Sequence, residues 1–488
     1  MTTLTFGVEL EAAYFYTRRH DQLDGIRESI AGLAPVVDMT YETFKRRNPK
    51  APRCSHLSQV ERDSDMERLV AWEIHDFVDN LPQSSRGELI PLTGNPLQDS
   101  YREWKIEGDL SIKLNEEDHG DLEFTGLEVI SPAMFATESA FREVKAVTEM
   151  LRQTFRAAVP PSCGLHVHVG QGPDYFPFET LQKLAAVCWA GDLLFQQMHP
   201  VSRRSNDHCL GLRIKSNLAY GDKAEQHSTP NDDLSGGDVK KLLSSTVLSG
   251  WEAGAQHLIA AAKPAVSIQE HINRGRPKRL TTTFNRTLLR SEHAVMPSPE
   301  ELDICGIPAY GVILPDEPFE PLEGADIMTG ATELFRCLNY YAVATLMSTG
   351  GRGAYNFENY GDIKKHAEKS KESTNKTIEF RQAAGSLDGH WVATYARICV
   401  GIARFAQNAK MPDLWRLIYE CHHAEKYKDQ YDVLDLLQDL DLASEAKVIQ
   451  SRLKTGAHVA EMLRPFLSGV DCLACNHLHE LMCKCGQS

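Results

Sequence analysis

The segment LTFGVELEAA, residues 4–13, alternates apolar and polar side chains with a period of two. Phe6 and Val8 fall on one face of this segment, and Glu9 and Glu11 fall on the other. A period of two predicts a half-buried β-strand. The segment is therefore predicted to be a strand that presents two carboxylates on its open face.

Three later segments combine an apolar face with an ionisable face in the same way. Their ionisable residues are Glu128 in LEVISP, His166 and His168 in CGLHVHVG, and Glu379 and Arg381 in TIEFR. For a single strand, the solvated face of an antiparallel sheet is the more common explanation. Four such strands in one sheet would instead form a concave surface crowded with carboxylate, imidazole and guanidinium groups.

Carboxylates that converge on one surface repel each other unless a cation lies among them. A site rich in oxygen ligands, with one or two imidazoles, suits Mg²⁺ or Mn²⁺ better than zinc. The alternative is a zinc site on His166 and His168, because side chains two residues apart on a strand point to the same side. No HExxH or CxxC motif lies near this pair. Arg381 would add a planar donor for phosphate oxygens, so a hard cation bound to phosphate is the favoured interpretation.

Helices are predicted around these strands. Amphipathic spacing predicts helices over residues 133–158 and 179–199, an apolar helix over 332–348 and a long helix from 391 to 406. A further strand is predicted over 101–112. Strands and helices in this arrangement predict an α+β fold with helices packed on an antiparallel sheet.

The chain of 488 residues is predicted to contain two parts. Residues 1–410 carry all the motifs and are interpreted as the catalytic domain, whereas residues 411–488 are interpreted as a helical C-terminal extension. Residues 221–330 are in turn polar, basic and rich in proline, and are interpreted as an insertion or irregular region.

The charge balance excludes some functions. The 67 Asp and Glu residues outnumber the 52 Lys and Arg residues, which gives a formal net charge of −15 and disfavours a surface that binds nucleic acid throughout. RGRPKR, residues 274–279, resembles an AT-hook or a nuclear-import signal, but a solvated basic loop is favoured. No stretch is long and apolar enough to span a bilayer, so we expect a cytoplasmic protein, or a nuclear one if RGRPKR directs import.

Most of the 12 cysteines are scattered along the chain, which favours a reducing compartment over a disulfide framework. The exceptions form a group near the C-terminal end: Cys472, Cys475, Cys483 and Cys485. A disordered thiol-rich tail is the favoured interpretation of this group, and a Zn²⁺ site is the alternative.

In their order along the chain, GVELE, LEVISP, CGLHVHVG and TIEFR resemble the motifs of the amidoligases, carboxylate-amine ligases related to glutamine synthetase and glutamate-cysteine ligase. Trp104 followed by Asp109 and Ser111 is similar to a further family element, and HPVSRRSNDHC and RGAYNFEN resemble stretches between the motifs. The resemblance spans residues 4–406 and is interrupted by residues 221–330.

The resemblance implies a glutamine-synthetase-like sheet whose concave face binds ATP and Mg²⁺ or Mn²⁺. ATP would phosphorylate a carboxylate, and an amine would then displace phosphate. Arg381 would hold the transferred phosphoryl group or the acyl phosphate. By motif match, five residues would be cation ligands: Glu9, Glu11, Glu128, His166 and Glu379.

Further residues are weaker candidates. Asp109 and His168 are candidates for contact with a substrate or a neighbouring polar group, whereas Arg203, Arg204 and Arg213 are candidates for binding nucleotide phosphates. The expected partners are small-molecule or peptide carboxylates and amines, with a homo-oligomer suggested by the glutamine synthetase relatives. Two alternatives stay open: a catalytically silent scaffold or nucleic-acid-associated protein, and a metal-dependent hydrolase that uses the HVH strand.

Overall fold

The structure is a computed structural model, and it describes residues 4–17, 34–38, 59–91, 99–114, 122–200, 203, 206, 208–220, 326–349, 353–361, 376–427 and 430–455. Within these residues the chain is α+β, as predicted. Arg204, RGRPKR, the C-terminal cysteine group and most of the predicted insertion lie outside the described residues.

A sheet of nine strands lies at the centre of the described structure. In chain order, the strands are β1 (Thr5–Thr17), β2 (Val37–Asp38), β3 (Lys105–Gly108), β4 (Glu123–Ile130), β5 (Met134–Phe135), β6 (Ala157–Ala158), β7 (Gly164–Gly170), β8 (Tyr355–Asn356) and β9 (Thr377–Ala384). Six of them follow the order β3-β4-β1-β7-β9-β8, and each neighbouring pair on this path is antiparallel. The short strands β2, β5 and β6 pair with β1, and β2 does so in parallel.

Helices cover the sheet and pack on one another. In chain order, they are α1 (Gln59–Asn80), α2 (Glu138–Thr154), α3 (Phe178–Phe195), α4 (Leu212–Lys215), α5 (Asn217–Tyr220), α6 (Ile327–Arg336), α7 (Tyr340–Met347), α8 (Gly389–Asn408), α9 (Met411–Lys426), α10 (Val433–Asp439) and α11 (Ala443–Thr455). The apolar face of β1 packs on this layer, since the rings of Phe6 and Phe141 stack with centroids 4.6 Å apart. Within the described chain, no helix has both the length and the apolar character that crossing a bilayer requires.

The helix predicted over 133–158 is shorter in the structure. Only α2, residues 138–154, is helical, because the two ends of the predicted segment pair with β1 as β5 and β6. Thr137 caps the start of α2 by accepting a hydrogen bond from the amide of Ala140. Pairing with β1 therefore overrides the helical spacing at both ends.

The single helix predicted over 332–348 is also wrong, since the structure has α6 and α7 there. Asp326 and Asn339 cap the two helices, and each side chain accepts a hydrogen bond from a backbone amide of the first turn. Because α6 begins at Ile327, it begins inside the range assigned to the insertion.

Two further expectations can be compared with the structure. The strand predicted over 101–112 is reduced to β3, so Asp109 lies just beyond the strand end. The helical character predicted beyond residue 411 is confirmed by α9, α10 and α11 as far as residue 455, where the described residues end. These helices join the rest of the protein directly, because the amide of Val433 donates to the Gln197 side chain at 3.0 Å.

Gly330 in α6 provides a test of how the helices pack. A methyl group at this position would lie 2.3 Å from the indole of Trp189, which is fully buried and donates to the carbonyl of Ile327 at 3.3 Å. Although alanine has the higher helix propensity, we expect Gly330→Ala to lower the free energy of unfolding by about 1–3 kcal/mol through overpacking. Urea denaturation measures this change.

The control is Thr332→Ala on the same helix, because its hydroxyl donates to the carbonyl of Met328 one turn earlier. This substitution should change the stability by less than about 1 kcal/mol. A Gly330→Ala protein as stable as the wild type would show that α6 moves away from α3 at little cost.

Candidate functional site

The order of the strands brings the predicted ionisable residues to one region of the sheet. Strands β4, β1, β7 and β9 are consecutive neighbours, although their segments are far apart in the sequence. Residues directly opposite each other on paired strands lie on the same face. The opposite pairs are Glu11 with Glu128, Glu9 with His166, and His168 with Glu379.

A β-bulge interrupts the pairing of β7 with β9 at the centre of this region. Leu165 lies opposite Ala383, whereas Val167 lies opposite Phe380. His166 alone on β7 therefore faces two residues of β9, Arg381 and Gln382. A bulge bends its strand and re-aims the side chains beside it.

His166 is 3% exposed and lies among three glutamates. Its Nδ1 lies 3.2 Å from Glu9 Oε2 and 3.6 Å from Glu379 Oε1. Its Nε2 lies 3.5 Å from Glu11 Oε1, and Glu11 also accepts a hydrogen bond from the amide of Gly164. The imidazole therefore links carboxylates of β1 and β9.

His168 carries a positive charge at neutral pH in this environment. Its Nε2 lies 3.0 Å from Glu9 Oε1, and its Nδ1 lies 3.0 Å from the hydroxyl of Thr377. Burial by itself lowers the pKa of His168, but the charges of Glu9 and Glu379 raise that pKa to about 9. The imidazolium offsets part of the negative charge of the cluster.

Glu9 and Glu379 are ionised. Burial favours a raised pKa for both carboxyls, but the two histidines hold the pKa of Glu9 well below its usual value and, with Arg381, lower that of Glu379. Arg381 contacts one oxygen of Glu379 through its Nη1. Asn356 on β8 donates to the other oxygen at 3.0 Å. Both oxygens of Glu379 are thus held by hydrogen-bond donors.

Glu128 behaves in the opposite way. Burial raises its pKa, and the neighbouring charges of Glu9, Glu11 and Asp109 raise it further, to about 9. The carboxyl is therefore protonated at neutral pH, which relieves the repulsion from the other acids. A bound cation would relieve the same repulsion and allow Glu128 to ionise.

Two groups of ligand atoms in this cluster have the spacing that a metal ion requires. One consists of Glu9, Glu128 and His166, the other of Glu9, His168 and Glu379, and the atoms of each group lie within 4.8 Å of one another. Each group offers two carboxylate oxygens and one imidazole nitrogen, which suits Mg²⁺ or Mn²⁺. The residues therefore fit a pair of hard cations that share Glu9.

A cleft adjoins the acid cluster, and its empty volume of about 830 Å³ includes open solvent at its mouth. Glu9 and His168 line one end of it, and Arg102 and Lys376 are among its other lining residues. Gly7, two residues before Glu9 on the same face of β1, lines it without a side chain. A ligand with a reacting group at the cluster has room for the rest of its structure here.

The weaker candidates lie in different places. Asp109 accepts two hydrogen bonds from Ser111, and its charge reaches Glu128. Arg203 is buried beside the bulge and donates to the backbone carbonyl of Arg381. Arg213 lies in the helical layer, where it pairs with Glu425 at 2.7 Å and stacks on Trp189.

Three residues of the site were not singled out from the sequence: Asn356, Thr377 and Gly164. Asn356 lies in the RGAYNFEN stretch and Thr377 begins the TIEFR motif, so both belong to segments that the family resemblance includes. Their contacts with Glu379 and His168 depend on the pairing of β8, β9 and β7, which the motifs do not specify.

Residues 2–234 match the family model described as "Putative amidoligase enzyme". The amidoligase resemblance is confirmed. The match covers Glu9, Glu11, Glu128 and the HVH strand, and it indicates an amide-forming ligase in general terms. The TIEFR strand lies beyond the match, but Glu379 contacts residues inside it. No curated protein and no solved structure matches the chain, so the glutamine-synthetase-like form of the sheet stays a prediction.

The raised pKa of Glu128 leads to a test in the ion-free protein. From about pH 4.5 to about pH 9 the unfolded chain would ionise this carboxyl while the folded protein keeps it neutral, so ionisable Glu128 costs stability as the pH rises. We expect Glu128→Gln in EDTA to be at least as stable as the wild type at pH 7, with an advantage that grows towards pH 9. Urea denaturation at pH 5, 7 and 9 measures it.

The same variant should bind Mn²⁺ at least about tenfold more weakly, as measured by electron paramagnetic resonance. The matched control is Glu107→Gln, because Glu107 lies opposite Glu128 on β3 but is exposed. A Glu128→Gln protein that is less stable at all three pH values would show that Glu128 is ionised and paired.

Proposed function

We propose that this protein is an ATP-dependent ligase that joins a carboxylate to an amine through an acyl phosphate. The observation that carries the proposal is the pair of cation-ligand groups that share Glu9, with Arg381 held beside them by Glu379. Divalent cations bound there would neutralise the charge of the ATP phosphates and of the phosphoryl group in transfer. The family match supports the same class of reaction.

Arg381 has the chemistry to hold the transferred group. Its guanidinium is planar and can bind two phosphate or carboxylate oxygens at once. Glu379, Glu11 and Glu9 raise the pKa of Arg381 against the effect of burial, so the charge is permanent. Asn356 fixes the far oxygen of Glu379, which in turn fixes the guanidinium before any ligand binds.

The proposed reaction has two steps. In the first, an oxygen of the substrate carboxylate attacks the γ-phosphorus of ATP, and ADP leaves with the electrons of the broken P–O bond. In the second, the amine nitrogen attacks the acyl carbon, and inorganic phosphate leaves. The amine arrives as an ammonium ion, which a face rich in carboxylates binds, and a carboxylate there would accept the proton that the nitrogen must lose before it attacks.

The observations favour this proposal over the alternatives. In a zinc hydrolase built on the HVH strand both imidazoles would bind one ion, but His166 and His168 belong to different ligand groups. In a silent scaffold the burial of several carboxylates would bring no benefit, and the raised pKa of Glu128 shows that it has a cost. We expect small-molecule or peptide carboxylates and amines as substrates.

The proposal predicts different results for two variants of β9. Glu379→Gln removes a cation ligand, so ADP release with pooled amino acids and amines should fall at least about 100-fold. Arg381→Lys keeps the charge but loses the two-pronged geometry, so MgATP should still bind while transfer to the carboxylate fails. Coupled measurement of ADP release and titration with MgATP check these outcomes.

Matched controls are Glu107→Gln and Arg397→Lys. Glu107 is exposed on β3, and Arg397 forms an exposed pair with Glu138. Each variant is first shown to be folded by circular dichroism. Wild-type rates of ADP release in Glu379→Gln would remove the basis for assigning ligase activity to this cluster.

A further inference from the structure

Arg203 lies beside the acid cluster, close to His166, and it is not among the residues that line the cleft. Its relative exposure is 3%, which leaves little guanidinium surface for a phosphate group. Its Nη2 donates to the backbone carbonyl of Arg381 at 3.0 Å, and its Nε is buried without a hydrogen-bond partner among the described residues. Through this hydrogen bond, the buried guanidinium of Arg203 holds the backbone of β9.

The bonded carbonyl lies at the β-bulge. His166 faces both Arg381 and Gln382, so the regular pairing of β7 with β9 is interrupted at Arg381. The amide of Arg381 donates to the carbonyl of Ala354 at 2.8 Å, and its carbonyl accepts from Arg203. A buried carbonyl without a hydrogen bond has lost its water partners without replacement, so the Arg203 contact stabilises the bulge.

Gly164 makes room for this contact. A side-chain carbon at position 164 would lie 2.6 Å from Arg203 Nη2 and 2.5 Å from His166 Nε2. The guanidinium and the imidazole therefore approach each other over the bare Cα of Gly164. On the opposite face of the bulge, Gln382 is held by Asp192 and Tyr355. The bulge is fixed from both sides.

We propose that Arg203 is a positioning residue that stabilises the β9 bulge and thereby sets the direction in which Arg381 leaves the strand. This inference rests on the proposed function of Arg381 in phosphoryl transfer. It reassigns Arg203 from a direct ligand of nucleotide phosphates to a group that acts through Arg381. If the bulge could relax, the Arg381 guanidinium would still lie near the acid cluster, but it would be poorly aligned for phosphoryl transfer.

The first experiment needs no ligand. Arg203→Met keeps an unbranched side chain and removes the donor, so amide hydrogen exchange in peptides covering 378–385 should become at least about tenfold faster. Arg397→Met is the control, because Arg397 is a surface arginine paired with Glu138. Gly164→Ala keeps the charge of Arg203 but would displace its guanidinium together with the His166 ring, so it should also speed exchange in these peptides, and it serves if Arg203→Met does not fold.

The second experiment separates positioning from direct contact. MgADP with aluminium fluoride mimics the phosphoryl group in transfer, whereas MgADP alone does not. Arg203→Met should weaken binding of the fluoride complex at least about tenfold and change MgADP binding less than about twofold. In an Arg381→Lys background Arg203→Met should have no further effect, because Arg203 acts through Arg381. Arg203→Lys, which retains a donor, should recover part of the affinity.

The outcomes separate the inference from the function on which it rests. Unchanged exchange in both folded variants, or additive effects of Arg203→Met and Arg381→Lys, would overturn the positioning role while leaving the ligase proposal intact. Weaker MgADP binding in Arg203→Met would overturn the positioning role and show that Arg203 contacts the nucleotide phosphates directly. Failure of the wild type to bind the fluoride complex would overturn the proposed function, and hydrogen exchange would still decide whether Arg203 supports the bulge.

Discussion

Electrostatic repulsion among four glutamates on one face of the sheet is the constraint on which the site depends. Glu9 and Glu11 come from β1, Glu128 from β4 and Glu379 from β9, and all lie close to the imidazoles of β7. The protein without bound ions offsets this charge with the His168 imidazolium, with Arg381, and by keeping Glu128 neutral through a pKa of about 9. A bound cation would offset the same negative charge.

The bulge in β9 decides which residue of that strand enters the charged surface. Because two residues of β9 face one residue of β7, Arg381 enters the acid cluster while the next residue, Gln382, bonds to Asp192 beneath the sheet. Burial raises the pKa of Asp192 to about 6, although backbone amides and Arg213 stabilise its charge. The position of the Arg381 guanidinium thus depends on polar contacts in the helical layer as well as on the sheet.

The helical layer makes these contacts possible by packing tightly. Helix α3 is buried on nearly all sides, and its Trp189 lies between Gly330 of α6 and the guanidinium of Arg213. Asp192, one turn further along α3, reaches the bulge through Gln382. Helices α9 and α10, which the sequence suggested as an extension, pack against this same helix. The layer is therefore part of the support of the site.

The sequence by itself determined which residues lie on the ionisable faces of the strands. Period-two alternation put Glu9, Glu128, His166 and Glu379 on the polar faces of strands, because side-chain direction along a strand is a local property. Only the tertiary structure decided that these strands lie side by side and that a bulge lies opposite His166. It also decided that Arg203 bonds to the backbone of Arg381 and that Asn356 bonds to the side chain of Glu379. Strand order, bulges and such contacts arise from pairing between segments far apart in the chain, and no local pattern encodes that pairing.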